Sequence, residues 1–387
     1  MSDWAARESL AELVAILGGD ARTRAVGGAV RDRLLALPVS DIDLATALTP
    51  EEVVDALARA GVRSVPTGLT HGTVTALTAD GPVEVTTLRR DVETDGRHAR
   101  VAFTDDWKAD AARRDFTINA LYLSLSDGQV HDYFNGLADL HARRVRFIGD
   151  PLQRIAEDYL RILRFFRFHA RFAVGSPDPA GLAACSARAA DLMALSRERV
   201  ASELLKLLAV ADPVPTVRAM LDHAVLAQVI PEFDDASLHR LAALVAAEAQ
   251  AGELPHPIRR LAALVGPRPT LARDLPGRLR LSNAHAKRLV AACQPLVAAP
   301  PQALAHRLGT ETAVDQLLLA SDVEGARAAA RFAPRRLPLT GAELLARGVP
   351  PGPEIGRVLR LVEERWMEAG FPEGDAFAAL LDQILPR

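Results

Sequence analysis

The chain has 387 residues, of which 49% are hydrophobic and 25% charged, with a formal net charge of −3. That length exceeds a single hydrophobic core and predicts several subdomains of ordinary globular composition. The weak net charge excludes a global electrostatic pull on nucleic acid. The 2 cysteines, Cys185 and Cys293, exclude a disulfide scaffold and a cysteine-based zinc site.

In chain order, MSDWAARESLAELVAILGG reads as a polar-capped amphipathic helix over 5–18, without the basic start and cleavage site of a signal peptide. No apolar run approaches the roughly 18 residues of a membrane span. The expectation is a cytoplasmic protein with no membrane segment. Further helices are predicted over 28–36 and 50–60, the second opening with Thr49-Pro50-Glu51-Glu52. VPTGLTHGTVTALTA (65–79) and PVEVTTLRR (82–90) flank an Asp80-Gly81 turn and predict a β-hairpin. The charge and glycine of RRDVETDGRHAR (89–100) predict a mobile loop. INALYLSLSDGQVHDYF (118–134), with a turn at Asp127-Gly128, closes the sheet. From about 151 strand signals almost vanish. PLQRIAEDYLRILRFFRFHARF is helical, and prolines over 255–257, 266–269, 295–301 and 350–353 punctuate a string of short helices. The fold class is α+β, giving way to all-α.

Two short stretches carry chemistry. Asp41 and Asp43 flank Ile42; on a strand, residues i and i+2 share a face, so two carboxylates project together with Ile42 buried behind them. Adjacent like charges need a proton or a cation between them. A hard ion such as Mg²⁺, held by one or two carboxylates and by substrate phosphates, meets that need. Upstream, the Gly27-Gly28 turn lets backbone amides approach a triphosphate, with Arg31 beside it. A phosphate turn followed by metal-holding acids suits nucleotidyl transfer to a 3′-hydroxyl. Glu84, an acid within the apolar run PVEVTT, is the candidate third carboxylate. The competing readings are turn-and-cap aspartates and an exposed strand glutamate.

Basic charge is concentrated over 143–171, where Arg143, Arg144, Arg146, Arg154, Arg161, Arg164, Arg167 and Arg171 meet only Asp150, Glu157 and Asp158. Lysine occurs only at 108, 206 and 287, so part of this run is ordinary surface charge.

GGAVRDRLLALPVSDIDLAT (27–46), RRDFTINAL (113–121) and EDYLRILRFFRF (157–168), in this order and spacing, resemble bacterial tRNA nucleotidyltransferases. These are the class II CCA-adding enzymes of the polymerase-β-type superfamily. HDYFNGLADL (131–140) resembles the hinge motif between head and neck. SRERVASELLKLL (196–208) resembles the last neck motif, in which a Glu-Arg pair braces the head. The resemblance covers about residues 20–210. It implies a polymerase-β-like catalytic head with a mixed sheet (1–142), a helical neck that recognises the base (143–211), and a helical body and tail that bind tRNA (212–387).

The resemblance also implies roles. Asp158 and Arg161 match the pair that presents hydrogen-bonding edges to the incoming base. One side chain only accepts and the other only donates, which suits the mixed edge of cytosine or adenine. Positions 158, 161 and 165 are predicted on one helical face, with Arg164 and Arg167 within reach of base or phosphate. Arg114 is the nucleotide arginine of RRDFTINAL, and Asn119 and Asp115 orient the ribose or the adjoining loop. Asp95-Gly96-Arg97 stands where similar enzymes carry the loop that switches between C and A addition. In 212–387, Arg278, Arg280, Lys287 and Arg288 are candidate phosphate contacts.

The expected activity is therefore addition of CCA to the 3′ end of tRNA from CTP and ATP, with Mg²⁺. Three rivals stand beside it: a CC-only or A-only enzyme, a poly(A) polymerase, and a catalytically inactive RNA-binding protein. PTGLTHGTV (66–74), in place of a basic GRRF-like patch, resembles the CCA-adding type.

Overall fold

The computed structural model describes residues 4–39, 41–68, 72–94, 99–333 and 335–385. The first elements are α1 (Glu8–Ile16), β1 (Thr23–Val26), α2 (Gly28–Leu34), β2 (Asp43–Thr46) and α3 (Pro50–Arg59). Helix α3 starts where the sequence places it, because Thr49 and Glu52 form a reciprocal capping box. Then come β3 (Ser64–Gly68), β4 (Thr73–Thr78), β5 (Gly81–Thr87), β6 (Arg89–Thr94), β7 (Ala99–Phe103), α4 (Trp107–Ala112), β8 (Leu121–Leu123), β9 (Val130–Asp132) and α5 (Gly136–His141).

Seven of these strands form one mixed sheet in the order β3-β4-β5-β2-β1-β8-β9. Strand β2 runs parallel to β5 and antiparallel to β1. The hairpin of β4 and β5 forms as expected, with Thr78 opposite Gly81; the turn residues are Ala79 and Asp80, one position earlier than predicted. Along β5, Val83, Val85 and Thr87 are buried while Pro82 and Glu84 are exposed, the period-2 signature of a strand with one covered face. The segment read as a mobile loop is instead a ribbon, β6 paired with β7 from Arg89–Phe103 to Thr94–Ala99. Its charged residues hid a strand that pairs with only one neighbour. Asp95-Gly96-Arg97 lies outside the described residues.

Helices α6 (Pro151–Glu157), α7 (Arg161–Phe172), α8 (Pro179–Ala187) and α9 (Arg197–Leu208) follow. Ile162, Leu163, Phe165, Phe166 and Phe172 bury one face of α7. Phe165 stacks on Phe147 with centroids 5.4 Å apart, and Phe116 packs on Phe147 and Phe168 at 4.9 and 5.2 Å. Each such ring contributes about 1.5–3 kcal/mol by leaving water. Gly181 in α8 allows this packing, since a Cβ there would stand 2.8 Å from the Phe165 ring.

The chain forms two compact units, Met1–Leu207 with Ala219–Ile230, and Leu208–Arg218 with Pro231–Arg387. Beyond α10 (Val214–Asp222) the second includes α11 (Asp235–Ala251), α12 (Pro257–Val265), α13 (Pro269–Arg278), α14 (Asn283–Ala292), α15 (Pro301–Leu308) and α16 (Thr310–Leu319). Its interior holds a charge cluster. Glu248 binds Arg259 and Arg260 at 2.9 and 2.8 Å, and Asp315 binds Arg259 at 2.7 Å. Mutual pairing makes such burial tolerable. Among the described residues, no helix is long and apolar enough to cross a membrane.

Candidate active site

Asp43 opens β2 and pairs in register with Glu84 on β5. Partners on neighbouring strands project to the same face, so the two carboxylates come together. Asp41, Asp43 and Glu84 line one cleft of about 570 Å³, with Arg7, Ser9 and Leu10 at the start of α1 forming another part of its wall. The sequence pairing of Asp41 with Asp43 needs two adjustments. Strand β2 begins at Asp43, so Asp41 sits just before it. Ile42 is only half-buried and lines the cleft too, rather than lying behind the acids.

Burial raises the Asp43 pKa, and the charges of Glu84 and Asp41 raise it further, while Arg114 pulls the other way. This is the electrostatics of an oxygen-rich site that favours a positive charge. Among the described residues no three His, Cys, Asp or Glu side chains form a ready metal cage. The donor set fits a hard ion that takes one or two carboxylates and completes its shell with phosphate oxygens and water.

The glycine turn lies beside these acids, because Val26 of β1 is the register partner of Asp43. Gly27 adopts φ 74 and ψ −128, a region open to glycine and strained for other residues. Side chains elsewhere fill the space that a Cβ at each glycine would approach. Arg114 Nη1 stands 3.4 Å from a Cβ position at Gly27, and Arg31 Nη2 stands 3.5 Å from one at Gly28. Two guanidinium groups therefore flank the turn. Arg114 Nε is buried without a hydrogen-bond partner.

Arg31 is more enclosed than expected. It is 5% exposed, donates to Asp32 and Asn119, and lies over the Phe172 ring at 4.0 Å. Asn119 then donates to Asp115 at 3.0 Å. Burial alone would raise the Asp115 pKa; the Arg164 charge and hydrogen bonds from Asn119 and Arg164 outweigh that and lower it. Arg164 Nε donates to Asp115 at 2.8 Å. Arg31, Asn119, Asp115 and Arg164 thus form one continuous chain of contacts.

The base-reading residues are arranged differently from the helical prediction. Asp158 is not on a helix with Arg161. It has φ −153 and ψ 108 at the break between α6 and α7, where its Oδ1 accepts from the Leu160 amide. Phe165 faces the aromatic core instead of a ligand. Arg161 donates to Glu157, to the Arg154 carbonyl and, at 3.1 Å, to the Arg113 carbonyl. Asp158 accepts from Arg199 at 2.8 Å, and Arg167 donates to Glu203. Arg199 and Glu203 of α9 therefore hold Asp158 and Arg167. Neither Asp158 nor Arg161 is among the described residues lining the cleft of the acids. Their link to it runs through Arg113 and Arg114.

Sequence reading missed Asp110. This carboxylate is 1% exposed and accepts from Arg113 Nε at 2.8 Å, Arg114 Nη2 at 3.1 Å, Tyr122 Oη at 2.8 Å and the Arg89 amide at 3.2 Å. Its spacing from Arg113 and Arg114, three and four positions along a helix, was the available signal. In the second unit, Arg288 is committed to Asp315 and Glu311 and is removed from the phosphate candidates. Arg278 pairs with Glu232, whereas Lys287 is exposed.

Residues 23–146 match the family model described as "Poly A polymerase head domain", and 176–237 match "Probable RNA and SrmB- binding site of polymerase A". The CCA-adding enzyme of Lacticaseibacillus paracasei is 33% identical over 362 residues, covering 90% of this chain and 88% of that one. The chain belongs to the CCA-adding enzyme family. Within the family's wider relations, the mitochondrial CCA tRNA nucleotidyltransferase 1 of Danio rerio is 51% identical over 188 residues. That match covers 48% of this chain and 43% of the relative, so it spans less than half of that protein. Among solved structures, the Bacillus stearothermophilus CCA-adding enzyme in complex with CTP aligns with a TM-score of 0.72, 24% identity and 97% coverage of both chains. The Thermotoga maritima CCA-adding enzyme complexed with tRNA_CCA aligns at 0.73, with 19% identity and 99% and 96% coverage. At these identities the likeness concerns the fold: an α+β part with a mixed sheet followed by helices.

Proposed function

We propose that this chain adds CCA to the 3′ end of tRNA, one nucleotide at a time, from CTP and ATP. The carrying observation is the meeting of Asp41, Asp43 and Glu84 in one cleft beside a glycine turn flanked by two guanidinium groups. In each cycle the terminal 3′-oxygen bonds to the α-phosphorus, the bond from that phosphorus to the bridging oxygen breaks, and pyrophosphate leaves. The hydroxyl proton passes to solvent. Asp41 and Asp43 would hold Mg²⁺, which supplies activation of the hydroxyl and charge neutralisation of the leaving group. Glu84 supports the same site through Asp43.

The triphosphate rests at Gly27 and Gly28, where Arg114 offers unclaimed donors and Arg31 a second charge. Asn119 fixes Arg31 by hydrogen bonding and, through Asp115, fixes Arg164. Asp158 and Arg161 read the base, with Arg164 and Arg167 at its margin. Asp158 retains acceptor capacity beyond its bonds to Arg199 and Leu160. We assign catalysis to 1–142, base recognition to 143–211 and tRNA binding to 212–387, and place the protein in the cytoplasm.

The match to a poly(A) polymerase head model favours one second reading, polyadenylation. A tRNA lacking its 3′ end, offered CTP alone, ATP alone and then both, separates the two. CCA addition gives two C residues with CTP and a completed triplet with both. Long A tails would establish polyadenylation, and arrest after CC a CC-only enzyme.

A further inference from the structure

Four groups from three parts of the chain meet at Asp110. Arg113 and Arg114 reach it from the end of its own helix, Tyr122 from β8, and the Arg89 amide from the root of the β6–β7 ribbon. Each contact leads elsewhere. Arg114 borders Gly27, and its charge acts on Asp43. The Arg113 carbonyl receives Arg161. Arg89 begins the ribbon, and the Tyr122 ring lies under the Arg114 guanidinium with the cation 5.4 Å from its centroid. Asp110 is 1% exposed, so this carboxylate is unavailable to solvent or substrate.

We infer that Asp110 is a positioning residue for nucleotide binding, holding Arg114 at the glycine turn and tying it to the root of the β6–β7 ribbon. A guanidinium tethered through only Nη2 would pivot; Asp110 and the Tyr122 ring together fix its plane, aiming the remaining donors. The inference rests on the reading of Arg114 as the triphosphate arginine.

The test uses the full chain with Asp110→Asn, Tyr122→Phe, Arg114→Ala and the Asp110→Asn/Arg114→Ala double variant. Binding of CTP and ATP is measured by calorimetry, beside KM and kcat on tRNA lacking its 3′ end. Asp110→Asn is expected to weaken nucleotide binding about tenfold, the effect of one well-placed charged contact. Its KM for tRNA should stay unchanged. In the Arg114→Ala background it should cost nothing further, because residues acting through one another are non-additive. Tyr122→Phe should shift nucleotide affinity in the same direction by a smaller factor, which keeps the test open if Asp110→Asn does not fold. Additive losses, or unchanged nucleotide affinity in a folded Asp110→Asn or Tyr122→Phe protein, would overturn the inference. Failure of the wild-type chain to bind CTP or ATP would instead overturn the functional reading beneath it.

Discussion

Asp43 and Glu84 are register partners across the parallel β2–β5 pair, so two carboxylates from distant parts of the sequence share one face of the sheet. That register follows from the buried faces: Val83, Val85 and Thr87 point inward and leave Glu84 toward the cleft. A slip of one residue would turn Glu84 into the core, where an unpaired charge is costly.

The glycine turn makes the first prediction. Gly27→Ala forces a side chain into φ 74 and sets its Cβ 3.4 Å from Arg114 Nη1. Backbone strain of this kind costs about 1–3 kcal/mol. The variant should show a lower melting temperature and a several-fold higher KM for CTP and ATP, read by thermal unfolding and steady-state kinetics. Wild-type KM values would refute a phosphate role for the turn.

Base reading makes the second. Asp158→Ala should blur discrimination between CTP and ATP more than it lowers affinity for the metal. Arg199→Ala, which releases Asp158 from its partner on α9, should act in the same direction. The measurement is the ratio of kcat/KM for the two nucleotides on tRNA ending in CC. An unchanged ratio in the Asp158 variant would remove the templating role.

Acid stability makes the third. Burial works against the charged Asp110, but Arg114, Arg113 and Tyr122 prevail and hold its pKa at about 2, against an ordinary value of 3.8. A depressed carboxylate stabilises the fold above its unfolded pKa, and that stability disappears as pH falls through the folded value. Asp110 should contribute about 2 kcal/mol near neutrality, lost between about pH 4 and pH 2. Denaturant titrations across this window should show a shallower acid decline for Asp110→Asn than for the wild type. Parallel curves would contradict the assignment.

Much of this was legible in the sequence because it is local. The Thr49 capping box and the β4–β5 hairpin each depend on neighbours within a few residues. What escaped depends on distant partners. Glu157-Asp158-Tyr159-Leu160-Arg161 contains no proline or glycine, so the helical period hides the break that Asp158 creates by capping Leu160. Arg31 reads as a charge open to the triphosphate, and only folding brings Phe168 and Phe172 of α7 over it. Arg288 likewise reads as a candidate phosphate contact, and only folding brings Asp315 to it.

The most direct test replaces Asp43 by alanine and follows labelled CTP into tRNA lacking its 3′ end, with tRNA binding measured in parallel. The account predicts incorporation reduced by at least about a thousandfold, the scale of lost metal-assisted charge stabilisation, with tRNA affinity preserved. Normal turnover by Asp43→Ala would contradict it.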